Sequence, residues 1–280
     1  MNCIRSMRYN YASSSLSCQL VKKLIRTASH PNFTFNHPNS PIATMKMNLQ
    51  TLTTLLLPAL ALSTPVDPSS SLTTRDDTWG GSVSLGPTKS TIVNAVTTII
   101  PGPAPLTQNG VLFLWPGMSN GTGDLIQATL ESWESNDWCG AASGEWCVRA
   151  SVFGWFGQLD GDAGVVKGDD QVRIEYTLLD DQDTWVQTVT NVGTGKVLST
   201  YSSQSGPYMT GYGTGTECND GCTGTSSEQQ YLNTEITLAS SDPTFGDTIA
   251  TAGGATYEGL ASSQDGTVWT IESIVIPAMV

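Results

Sequence analysis

DLIQATLESW, residues 124–133, alternates without a break. Ile126, Ala128 and Leu130 fall on one face, and Gln127, Thr129, Glu131 and Trp133 on the other. A period of two with one apolar side is a β-strand that buries one face. EWCVRASVFGWF (145–156) repeats the pattern, with Val148, Ala150 and Val152 opposing Arg149, Ser151, Phe153 and Trp155. In 230–239, Leu232, Thr234, Ile236 and Leu238 oppose Tyr231, Asn233, Glu235 and Thr237. Each strand has one plainly apolar face and a second face that mixes aromatic and polar groups. Two such sheets packed core to core leave that second face for a ligand, and a concave, ligand-lined sheet is expected.

The rest of the chain agrees. Short runs rich in Val, Ile, Thr, Trp and Tyr, punctuated by Gly, Asp and Asn, predict strands at 91–100, 110–115, 171–179, 184–192, 196–202, 247–250 and 267–276. No stretch sustains a 3.6-residue period. The fold class is therefore all-β: a two-sheet antiparallel sandwich. Residues 180–183 (DDQD) and 193–195 (GTG) read as hairpin turns. The glycine-rich stretch 206–227 reads as one long loop pinned by a crosslink. One domain spans 85–280, preceded by a flexible Pro/Ser/Thr-rich leader at 64–84.

Residues 47–61, MNLQTLTTLLLPALA, follow Lys46 and end on small residues. They predict a signal peptide at 45–63, too short and too interrupted by Pro58 to span a bilayer. Segment 1–44 then reads as a non-structural extension, with Met45 or Met47 as the initiator. A secretory or extracellular location follows. Beyond residue 63 six cations face 25 acids, which leaves 19 net negative charges. Such a surface repels nucleic acid and anionic membranes. Cys139, Cys147, Cys218 and Cys222 remain, an even count that implies disulfides. Of three pairings, Cys139–Cys147 with Cys218–Cys222 closes the smallest loops. Asn120-Gly121-Thr122 is an N-glycosylation sequon.

Both histidines, His30 and His37, precede the mature domain. That removes His-based nucleophile activation, His general bases and His metal ligands. No metal site and no cofactor are expected. Lys167 and Lys196 sit beside turns. Asp160-Gly161-Asp162 reads as a tight turn, and no alternating acids mark a jelly-roll glycosidase. Trp115, Trp133, Trp138, Trp146, Trp155 and Trp185 fall within 71 residues. Part of this cluster belongs to the core. Trp133 and Trp155 lie on the mixed face, where they suit a sugar platform or an apolar pocket for a flat organic ligand.

L-W-P-G (114–117), D-L-I-Q (124–127), V-x-x-G-D (165–169), W-V-Q-T-V-T-N…T-G (185–195) and Q-Y-L-N-T-E (230–235) follow one another in an order that resembles fungal secreted concanavalin A-like sandwiches. One branch is the glutamic peptidases, and Gln127 matches their catalytic Gln. The second site departs from that pattern: aligning Tyr231 with the family Trp puts Gln230 where the Glu belongs, with Glu228 and Glu235 shifted. In size, signal peptide, glycosylation and fold pattern the chain is also similar to the fungal hetero-Diels–Alderases of tropolone–sesquiterpenoid biosynthesis. That resemblance implies a cofactor-independent cycloaddition between small apolar or aromatic substrates. Gln127, Arg149 and Asn233 would then hydrogen-bond carbonyl oxygens, and Trp133, Phe153, Trp155, Tyr231 and Glu235 would line the pocket. A hydrolase acting through Gln127 and Glu235, and a non-catalytic glycan-binding protein, are the competing expectations.

Overall fold

The computed structural model describes residues 77–279. The predicted signal peptide, the 1–44 extension and most of the leader lie outside the described residues. The described residues form two antiparallel sheets. The first runs β14 (Ala250–Ala252), β2 (Ser82–Leu85), β12 (Gly211–Asn219), β4 (Val111–Ser119), β5 (Leu125–Ser132), β6 (Trp146–Gly154) and β7 (Gly157–Asp160). β1 (Thr78–Trp79) adds to β12, and β8 (Gly164–Val166) adds to β6. The second runs β11 (Val197–Gln204), β10 (Thr184–Asn191), β9 (Val172–Leu178), β3 (Ile92–Ile100), β13 (Gln229–Leu238), β17 (Val268–Ile276) and β15 (Thr256–Glu258), with β16 (Ala261–Ser262) on β17.

The core lies between the sheets. Ile126, Ala128, Leu130, Val148, Ala150 and Val152 enter it from the first sheet; Ile99, Ile174, Tyr176, Trp185 and Ile274 enter it from the second. Trp146 and Trp185 are fully buried, and each indole N–H has a backbone acceptor, Gly102 O at 2.8 Å and Gly206 O at 2.7 Å. A buried indole satisfied in this way adds apolar area without stranding a donor.

Three sequence expectations change. The stretch 206–227 is not one loop, because its GYGTGTECN segment is β12, inside the first sheet between β2 and β4. Its glycines alternate on one face, where bare backbone leaves room for neighbouring side chains. Residues 78–79 and 82–85, within or next to the expected leader, are strands of the same sheet. In β13 the predicted parity holds only from Thr234 onward. Register against β3 slips between Leu232 and Glu235, and Asn233 takes φ 50°. A bulge of this kind flips every side chain before it to the other face.

Candidate functional site

The outer face of the first sheet gathers several of the polar and aromatic side chains singled out in the sequence. Parity places Phe113, Trp115 and Gly117 of β4, Gln127, Thr129 and Glu131 of β5, and Arg149, Ser151 and Phe153 of β6 on that face. Gly211, Gly213 and Gly215 of β12 continue it. Gly215 is required there: a Cβ would come within 2.6 Å of the Trp115 indole, which lies across it.

Glu131 is fully buried. Four donor groups hold its carboxylate. Arg149 Nε donates to Oε1 at 3.0 Å, and Arg149 Nη2 reaches Oε1 at 2.9 Å and Oε2 at 2.8 Å. Thr129 Oγ1 donates to Oε1 at 2.7 Å, and Trp133 Nε1 donates to Oε2 at 2.8 Å. A buried carboxylate is tolerated only when paired and hydrogen-bonded this fully. Arg149 Nη1 donates to Asp160 Oδ2 at 2.6 Å, so one guanidinium joins two carboxylates. Gln158 Nε2 donates to the other Asp160 oxygen at 2.8 Å. Burial pushes the Asp160 carboxyl up from its ordinary value, while Gln158 and Arg149 pull the other way.

Local sequence builds this end of the face. Cys139–Cys147 ties the turn after β5 to β6. Within that turn Asn136 Oδ1 accepts from Trp133 N, and its Nδ2 donates to the carbonyls of Glu131 and Glu145. The turn is thereby held with Trp138 5.0 Å over the Arg149 guanidinium, a cation–π contact. Phe113 meets Trp133 edge-on. From beneath, Tyr176 of the second sheet reaches through the core. Its hydroxyl accepts from Ala128 N at 2.9 Å and donates to Pro116 O at 2.7 Å. Those two residues face one another where the β4–β5 ladder is interrupted, because Pro116 has no N–H to give. The tyrosine closes the gap next to Gln127 and Thr129.

The structure brings together Gln127, Arg149, Trp133 and Phe153, all on this face. Trp133 and Phe153 stand near its two ends, and the polar groups lie between them. It does not add the others. Tyr231 is buried in the core, where its hydroxyl donates to Gln229 Oε1. Asn233 and Glu235 face outward as expected, but on the second sheet; the parity inversion turns only Tyr231 inward. Trp155 sits at the tip of the β6–β7 hairpin, 96 % exposed, edge-on to Phe156. Gln127 and Glu235 therefore cannot share a water molecule. Asn120 lies in the β4–β5 turn, its Oδ1 accepting from Thr122 N, Thr122 Oγ1 and Gly123 N. Both disulfides pair as the smallest loops predict.

Sequence reasoning missed the partnership of Glu131, Arg149 and Asp160. Parity already put Glu131 and Arg149 on one face. Asp160 was read as part of a turn, yet β7 places it opposite Ser151. Among the described residues no His/Cys/Asp/Glu group could hold a metal ion. No helix among them is long and apolar enough to cross a membrane.

No protein-family model matches this chain, and no curated protein matches it in sequence. Several solved structures are distantly similar to the chain. Scytalido-glutamic peptidase with a peptide-based transition state analog is 16 % identical, with 71 % of this chain and 99 % of that one covered, at a TM-score of 0.44. The eqolisin-family peptidase SCP-B, in complex with the tripeptide Ala-Ile-His, is 13 % identical over 71 % and 99 %, at 0.43. Peanut lectin with a 9mer peptide is 8 % identical over 75 % and 95 %, at 0.23. The all-β sandwich of two antiparallel sheets rests on the chain's own strand pairing.

Proposed function

We propose that this protein is a cofactor-independent cyclase acting on small organic substrates, a hetero-Diels–Alderase that couples a tropolone o-quinone methide to a humulene-type sesquiterpene. The observation that supports it is the saturation of the Glu131 carboxylate by Arg149, Thr129 and Trp133 on a face flanked by aromatic rings. That carboxylate has no lone pair left over for a water or a nucleophile. Hydrolysis through Gln127 and Glu235 is disfavoured, because Glu235 stands on the other sheet.

A [4+2] addition needs neither group. The oxygen and methylene carbon of the quinone methide each form one σ bond to the alkene carbons. Two π bonds are lost in forming the dihydropyran, and no proton or leaving group moves. The protein's part is to hold two reactants in near-attack geometry. It also aims hydrogen-bond donors at the quinone methide oxygen as charge builds there. In this reading Gln127 donates to that oxygen. Phe113, Trp133 and Phe153 offer rings to the hydrocarbon parts.

The test is to generate the quinone methide in the presence of humulene, with and without the purified full chain. A single enantiomer of the dihydropyran, formed faster than in buffer, is the expected result. A racemic product at the buffer rate overturns the proposal. Exposed Trp155 and the half-exposed Trp138 favour a second reading, a glycan-binding surface. Retention of the protein on a polysaccharide column, lost in Trp155→Ala, would favour that reading.

A further inference from the structure

Gln127, Ser151 and Asp160 lie in one row across three strands: Gln127 is opposite Ser151, and Ser151 is opposite Asp160. Directly opposed side chains on one face have Cβ atoms about 4.5–5.5 Å apart. Ser151 is fully buried, and its hydroxyl has no hydrogen-bond partner. Nothing nearby takes that role. Asp160 stands opposite it but accepts from Arg149 and Gln158 instead, one bond to each oxygen. Gln187 approaches from the core, but it donates to the Ser151 carbonyl rather than to the hydroxyl. A buried hydroxyl left without a partner costs stability that an alanine would not.

We propose that Gln127, Ser151 and Asp160 form an oxygen-binding subsite for a vicinal hydroxy-ketone. The Ser151 hydroxyl and the Gln127 amide N–H donate to the ketone oxygen, and the Asp160 carboxylate accepts from the neighbouring hydroxyl. The donors and the acceptor follow the row in that order, with Ser151 at its centre. Asp160 is held in place by Arg149 and Gln158, so the acceptor is pre-oriented. In this subsite the Gln127 side chain shifts to admit the ketone oxygen and keeps its amide N–H on it. This subsite deepens the proposed cyclase reading and rests on its assignment of the face to a small organic ligand.

The test uses tropolone as the probe, titrated calorimetrically into the full chain and into Ser151→Ala and Ser151→Thr, with melting temperatures measured in parallel. Ser151→Ala is expected to weaken tropolone at least tenfold without lowering Tm, and Ser151→Thr, which keeps the hydroxyl, to bind more tightly than Ser151→Ala. Three results overturn the subsite: wild-type protein that does not bind tropolone, Ser151→Ala that binds as wild type, or an alanine variant whose Tm falls while its affinity stays. The two proposals fail separately. Ser151-dependent tropolone binding without cyclisation sinks the cyclase reading alone, and full-rate cyclisation by Ser151→Ala sinks the subsite alone.

Discussion

Two Arg–Glu pairs in this molecule have the same ingredients and opposite settings. Arg149–Glu131 joins β6 to β5 on the outer face of the first sheet, with Arg149 19 % and Glu131 0 % exposed. Arg173–Glu175 lies along β9 on the outer face of the second sheet, with its side chains 42 % and 33 % exposed. The first pair is forked, capped by Thr129 and Trp133, and overlaid by Trp138. The second has one contact and is partly exposed. Both sheets have an outer face, so an outward-pointing side chain does not by itself mean solvent. On the first sheet aromatic side chains stand over the charges, and removing one partner would leave the other buried. On the second sheet water would replace it.

The largest effect therefore belongs to Glu131→Ala. It leaves the partly buried Arg149 with Asp160 as its remaining carboxylate, and should cost about 3–5 kcal/mol in chemical denaturation. A loss under about 1 kcal/mol would mean that water already reaches the pair. Tyr176→Phe comes next. It strands Ala128 N–H and Pro116 C=O beneath the site, at a cost of about 1–3 kcal/mol for each group left unmet. Hydrogen exchange at the Ala128 amide should quicken in step, and unchanged exchange would show that the ladder closes without the tyrosine.

A smaller effect separates carboxylates by pH. Asp242 accepts from Thr88 Oγ1, Lys89 N and both Thr244 donors. Although burial opposes it, these bonds hold its carboxyl down to about 2. Its folded value lies below its unfolded one. Its stabilisation is thus present above about pH 4 and is lost as pH falls towards about 2. Asp242→Asn should flatten that part of the stability–pH curve; an unchanged curve would locate the acid sensitivity elsewhere. Smallest of all is Glu175→Gln, which should change stability by less than about 1 kcal/mol. A shift as large as that of Glu131→Ala would erase the distinction between the two faces.

The all-β class and much of the strand set were legible because alternation is a property of the chain itself. Ile126, Ala128 and Leu130 had to turn inward together, whatever they met there. The placement of Gln127, Arg149, Trp133 and Phe153 on one face follows from the same parity. The displaced group shows where this reasoning stops. Tyr231, Asn233 and Glu235 were assigned to one face by an unbroken period of two; a bulge at Asn233 turned Tyr231 inward, and membership of the second sheet kept Asn233 and Glu235 from the site. A bulge depends on register against a neighbouring strand, and strand pairing is not written locally. The glycine-rich β12 was hidden for a related reason. Its glycines look like loop composition until Trp115 is seen to lie across Gly215.

What the sequence alone determined is composition and periodicity: a histidine-free domain, strands with one apolar face, cysteines spaced for two small loops. Only the tertiary structure decided which polar side chains meet. Glu131, Arg149 and Asp160 come from three strands and act as one charge network because β5, β6 and β7 are neighbours in that register. Ser151 is left without a partner for the same reason. Hydrogen bonding between side chains is fixed by distances across strands, and those distances exist only once the sheets have formed.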